Sequence, residues 1–121
     1  MAKASIMVVE DDQDIRELVI YNLGKEGYTV VSAESGEQAL KLIESANPDL
    51  IVLDIMLPGM DGIEVLRSLK QGSRYAQIPV IMATAKSEDS DIITGLELGA
   101  DDYIAKPFSP KVLIARDRKS V

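Results

Sequence analysis

The 121-residue sequence contains no cysteine and no histidine. Without cysteine, disulfides, zinc–thiolate sites and thiol nucleophiles are excluded, and a reducing compartment fits. Without histidine, the chain has no imidazole base, no imidazole metal ligand and no phosphohistidine of its own. Basic residues are in deficit: 13 Lys and Arg against 20 Asp and Glu give a net charge of −7. A domain this acidic does not bind nucleic acid through its bulk field. Long apolar runs are missing too. None approaches the roughly 18 residues of a membrane span. The opening MAKASIMVVEDD has too short an apolar run, and turns acidic too soon, for a secretory signal. The cytoplasm is the expected location, with no membrane partner. No linker, internal repeat or low-complexity stretch is visible, so one domain over residues 1–121 is expected.

Two kinds of segment alternate along the chain. Solid apolar runs are IMVV (6–9), LIVL (50–53) and VIMA (80–83), with TVVSA (29–33) and DYIA (102–105) as further strand candidates. Runs without polar alternation suit strands buried on both faces of a parallel sheet. Helical patterns lie between them. Ile15, Leu18, Val19 and Leu23 share one face, and Gly27 supplies a stop. Ser35 with Gln38 reads as a capping box ahead of Ala39, Leu40 and Ile43. Asp61 with Glu64 is a similar start, followed by Ile63, Leu66 and Leu69. Ile92, Ile93 and Leu96 form a fourth stripe ending at Gly99, and Ser109–Pro110 opens a fifth helix. Five strands alternating with five helices imply right-handed crossovers and a doubly wound α/β sheet. The flavodoxin-like order 2-1-3-4-5 is expected.

In such a sheet, ligands sit beyond the carboxyl ends of the strands, near the switch point between strands 1 and 3. Strand 1 runs into Glu10, Asp11 and Asp12, strand 3 into Asp54, strand 4 into Thr84, and strand 5 into Lys106 and Pro107. Strand 2 leads only to Glu34, on the far side of that order. Any one of these residues alone would pass as a loop charge or a strand-end hydroxyl. Asp12 has two readings, a member of the acidic group or the N-cap of the first helix. Together they converge on one rim. Adjacent carboxylates repel one another, and a hard cation between the acidic run and Asp54 relieves that repulsion. Mg2+ suits a few carboxylates plus waters and an oxyanion. Asp54 is then a candidate nucleophile able to form an acyl phosphate. Lys106 and the Thr84 hydroxyl stand ready for phosphoryl oxygens.

The stretches VVEDD, PDLIVLDIMLPGMDG, PVIMATA and GLELGADDYIAKPFSP carry a further signal. Through them the chain resembles a two-component response-regulator receiver domain of the OmpR/PhoB type, to about Arg116. The resemblance implies a CheY-like fold and a role for each matching residue. Asp54 accepts a phosphoryl group from the phosphohistidine of a histidine kinase. Asp11, Asp54 and the Met56 backbone carbonyl bind Mg2+, and Glu10 acts through a bound water. Lys106 contacts the phosphoryl group, ahead of a cis bond to Pro107. Thr84 moves toward the phosphoryl group on activation and Tyr103 rotates inward. Ala85 leaves access to the acyl phosphate. Pro58 and Gly59 shape the loop after Asp54, and Gly62 opens the next helix.

The function implied is a phosphorylation-dependent switch that catalyses only its own phosphorylation and dephosphorylation, with transcription as output. A stand-alone receiver is the alternative, since DNA would be met only through a C-terminal domain not found in this chain. A haloacid-dehalogenase-type phosphatase also uses an Asp nucleophile and Mg2+, but needs a second acid two residues on, where this chain has Met56. The resemblance also implies a homodimer on phosphorylation, through the fourth helix, fifth strand and fifth helix. Glu97, Asp101, Asp102, Arg116 and Arg118 match the charges expected on that face. Ile92 and Val112 stand where the family has an ion pair, so an apolar contact is expected in its place.

Overall fold

The computed structural model describes residues 4–71, 74–84, 96–97 and 99–105, with backbone only at 84 and 105. The strands are β1 (Ser5–Val9), β2 (Thr29–Ala33), β3 (Leu50–Asp54), β4 (Val80–Thr84) and β5 (Asp102–Ala105). The helices among the described residues are α1 (Gln13–Lys25), α2 (Gly36–Ala46) and α3 (Gly62–Lys70). All strands pair in parallel in the order β2-β1-β3-β4-β5, as expected. Three strands run one residue beyond their apolar run, to Ser5, Asp54 and Thr84. The ladder continues there, pairing Ser5 with Thr29, Asp54 with Ala83 and Thr84 with Ala105. Backbone pairing does not depend on side-chain polarity. Leu96 and Glu97 are helical, while Ile92, Ile93, Ser109 and Pro110 lie outside the described residues.

Side-chain alternation divides the core into two layers. Ile6, Val8, Leu50, Val52, Ile81, Ala83 and Ile104 face α1 and pack with Val19 and Leu23. Met7, Val9, Ile51, Leu53, Val80 and Met82 face the other way, onto Ala39 and Ile43 of α2 and Val65, Leu66 and Leu69 of α3. Helices cover both faces, so the strands carry no polar face, and the solid apolar runs follow from that. Leu18 is a correction to the expected α1 stripe, being 62% exposed. The line that faces the sheet is the partly buried Ile15 with the buried Val19 and Leu23, spaced by four. Leu18 precedes Val19 and points about 100° away from that line.

Helix ends follow local chemistry. Gly27, at φ 96°, closes α1. Its N–H donates to the Gly24 carbonyl at 3.0 Å and the Tyr28 N–H to the Leu23 carbonyl at 3.2 Å, the paired bonds of a glycine-terminated helix. Ser35 Oγ accepts from the Gln38 N–H at 3.1 Å. The return bond differs from the expected box, because Gln38 Oε1 accepts from Glu34 N–H at 2.7 Å, one residue earlier. Asp61 caps α3 by accepting from Glu64 N–H at 2.9 Å.

Candidate functional site

Parallel pairing sets the carboxyl ends of β1 and β3 side by side, with Val9 opposite Leu53. Glu10 and Asp54 therefore leave the sheet at one level. Asp54 shares the side-chain parity of Leu50 and Val52 and points to the α1 side. Glu10 and Asp54 are the buried charged residues among those described, at 4% and 2% exposure. Asp11 is exposed. One carboxylate oxygen from each of Glu10, Asp11 and Asp54 lies within 4.8 Å of the other two.

Local bonds hold this arrangement. The Asp12 N–H donates to Glu10 Oε2 at 3.2 Å, and the Met56 N–H donates to Asp54 Oδ1 at 3.1 Å. Asp12 takes the capping role, its Oδ1 accepting from Ile15 N–H at 3.1 Å. The acidic run thus divides its labour. One member starts α1 and the other two join Asp54. Clustered hard oxygens of this kind fit a divalent cation. Two buried acids and one exposed acid leave a solvent side for waters and an oxyanion.

An open pocket of about 500 Å3 adjoins the cluster, lined by Asp11 and by the loop from Ile55 to Gly59, with Asp61 and Ile63. Met56 is 69% exposed at its mouth. Gly59 has φ 71°, so the turn there favours glycine. Gly62 packs its α carbon against the backbone of Asp54 and Ile55, and its N–H donates to the Ile55 carbonyl at 2.9 Å.

The other candidates sit as follows. Thr84 ends β4, one residue beyond the partner of Asp54. Tyr103 is half-buried against the core layer covered by α2 and α3. Lys106, Pro107 and Ala85 lie outside the described residues, as do Ile92, Val112, Arg116 and Arg118 of the expected dimer face. Glu97 and Asp101 are exposed and Asp102 is half-buried. Asp101 also has an internal role, since its Oδ2 accepts from Val80 N–H at 2.8 Å.

One residue escaped the sequence reading. Arg16 donates from Nη1 to the Glu10 carbonyl at 2.9 Å and reaches the Asp11 carbonyl at 3.4 Å. Its Nη2 lies 3.8 Å from Glu34 Oε2. The available signal was its isolation, as the only cation between Lys3 and Lys25. No helix among the described residues is long and apolar enough to cross a membrane.

Comparison with known proteins points to one family. The family model for the response regulator receiver domain matches residues 6–117. The alkaline phosphatase synthesis transcriptional regulatory protein PhoP of Bacillus subtilis is 53% identical, over 92% of this chain and 45% of its own length. The phosphate regulon transcriptional regulatory protein PhoB of Pseudomonas aeruginosa is 49% identical, over 96% of this chain and 51% of its own. The chain thus spans about half the length of these curated relatives. The beryllofluoride-activated N-terminal receiver domain of Klebsiella pneumoniae RstA superposes with a TM-score of 0.87 and 41% identity, covering 96% of this chain and 97% of that one. A match running through nearly the whole chain, together with a fold shared over that same length, means that the chain belongs to the response regulator receiver domain family.

Proposed function

We propose that this chain is a phosphorylation-controlled switch whose phosphoacceptor is Asp54. One observation carries the reading: a buried carboxylate at the end of β3 lies within 4.8 Å of two more at the end of β1. An Asp54 oxygen attacks the phosphorus of a histidine kinase's phosphohistidine. The P–N bond breaks, the imidazole leaves with the electron pair, and an acyl phosphate remains on Asp54. Asp11, Asp54 and the Met56 carbonyl hold Mg2+, with Glu10 acting through water. When bound, the ion offsets the negative charge of the phosphoryl oxygens. Lys106 pairs with one phosphoryl oxygen and the Thr84 hydroxyl donates to another. Tyr103 follows Thr84 inward. The face of the fourth helix, β5 and the fifth helix then favours a homodimer. DNA is reached through a C-terminal domain, as the two transcriptional regulators of about twice this length suggest. The site of action is the cytoplasm.

The test is intact mass after treatment with a small phosphodonor. With Mg2+ the chain gains one phosphate, and with a chelator it gains none on the same timescale. Steady turnover of an aryl phosphate would favour the phosphatase reading instead. Sedimentation of the beryllofluoride-treated chain is expected to show more dimer than the untreated chain.

Metal binding and stability are linked. A ligand held by the folded state alone stabilises by about 2.7 kcal/mol at a hundred times its Kd. Millimolar Mg2+ is therefore expected to raise the melting temperature. Asp11→Ala removes most of that rise, since it deletes one of the clustered carboxylates. A full metal response in Asp11→Ala would place the ion elsewhere.

A further inference from the structure

Arg16 sits in an unusual place for a cation. Asp12 caps α1, so Arg16 is in the helix's opening turns, and its guanidinium reaches back toward the N-terminus. The helix dipole disfavours positive charge at that end. A divalent ion in the neighbouring carboxylate cluster would repel it as well. Its side chain is nonetheless only 15% exposed. Nearby carboxylates, Glu34 at 3.8 Å among them, offset that cost, and the same guanidinium also fixes backbone positions.

Those positions belong to the cluster. The sheet holds Glu10 through its N–H, which donates to the Ala33 carbonyl at 3.0 Å. Beyond that bond the chain leaves the ladder and turns into α1. Over this turn the carbonyls of Glu10 and Asp11 are both taken by Arg16 Nη1. Their side chains are two of the three clustered acids. Glu34, just after β2, lies 3.8 Å from the same guanidinium and steadies its other arm. Rotating either peptide unit would swing a carboxylate away from Asp54.

We propose that Arg16 is a positioning residue, clamping the Glu10 and Asp11 peptides so that their carboxylates meet Asp54 at the spacing a cation needs. The inference rests on the cation reading of that cluster. Residues that orient metal ligands typically change affinity by about 10–100-fold when replaced.

The experiment is calorimetric titration of the full chain with Mg2+, at a temperature where every variant is folded. Arg16→Gln and Arg16→Lys are both expected to weaken binding about tenfold. Lysine keeps the charge but lacks the planar fork of donors. Glu34→Gln is expected to weaken binding less than about threefold, because that pair is partly solvated. Melting of the metal-free variants separates the alternatives. A merely structural role lowers the melting temperature and leaves the Mg2+ Kd unchanged. Wild-type or tighter affinity in Arg16→Gln overturns the proposal, as does wild-type affinity in Arg16→Lys. If Arg16→Gln does not fold, Arg16→Lys decides alone. Failure of the site reading looks different: the wild-type chain takes up no Mg2+, or Asp11→Ala binds it as tightly as wild type.

Discussion

Asp54→Asn is expected to abolish phosphorylation while leaving the chain folded and more stable without metal. The replacement keeps the shape, and its Oδ1 still accepts the Met56 N–H that Asp54 accepts at 3.1 Å. It removes the proposed nucleophile, because an amide oxygen at this site does not form a stable acyl phosphate. It also removes one of three negative charges within 4.8 Å of one another. At that distance the repulsion is worth a few kcal/mol at an effective dielectric near 20. Solvent around the exposed Asp11 reduces this, so a gain of about 1–2 kcal/mol is expected in metal-free urea denaturation. The new amide can also donate to a neighbouring carboxylate, which adds to the gain. Mass spectrometry after phosphodonor treatment should find no phosphate on the variant. Equal phosphorylation of variant and wild type would move the acceptor to another residue.

The same residues show how far the sequence could be read. The centre of the sheet was legible because β1, β3 and the described side chains of β4 are buried almost throughout, whereas β2 and β5 are only partly buried. A strand buried on both faces appears as an unbroken apolar run, and β3 has all five residues buried. The doubly wound sheet followed from alternation with helices and the handedness of crossovers, and its order from the flavodoxin-like arrangement of five strands. Asp54 was legible for the opposite reason. A carboxylate that closes such a run has nowhere to go except the rim, and 2% exposure shows how little solvent it finds there.

What was not legible depends on directions that a linear pattern does not encode. Leu18 matches the apolar spacing of α1 as well as Ile15 does, yet only the line of Ile15, Val19 and Leu23 faces the sheet. The dual reading of Asp12 required the position of its Oδ1, which reaches Ile15 N–H. Arg16 looks like a helix-surface cation, because its partners are carbonyls, and carbonyls leave no trace in residue identities. Asp101 shows the same limit. It reads as a surface charge, but its carboxylate takes the Val80 N–H where β4 begins.

Gly62→Ala is expected to destabilise the chain by about 2–3 kcal/mol, against the rule for glycines in helices. By propensity, replacing glycine with alanine stabilises a helix by up to about 1 kcal/mol. Gly62 is the first residue of α3. A β carbon there would collide with the Asp54 carbonyl oxygen and lie 2.8 Å from Ile55 Cα and 2.9 Å from the Asp54 carbonyl carbon. These are backbone atoms with little freedom to retreat. The Ile55 N–H is bonded to the Ala83 carbonyl at 2.9 Å, and the Ile55 carbonyl accepts from Gly62 itself at 2.9 Å. Relief requires α3 to move off the end of β3, loosening Val65, Leu66 and Leu69 from the core. Overpacking of this kind costs about 1–3 kcal/mol, occasionally more, and a backbone obstacle places it at the upper end. Gly24→Ala is the control. It is the second-last residue of α1, where an added β carbon meets nothing within 4 Å, so propensity alone acts and a gain of up to about 0.5 kcal/mol is expected, less than in a helix interior. Urea denaturation of both variants gives the two signs directly. If Gly62→Ala stabilised the chain as Gly24→Ala does, the close approach of α3 to Asp54 would be wrong. The clash falls on the backbone of Asp54, so on the proposed phosphoacceptor role of that residue the folded fraction of Gly62→Ala should also take up phosphate more slowly than wild type.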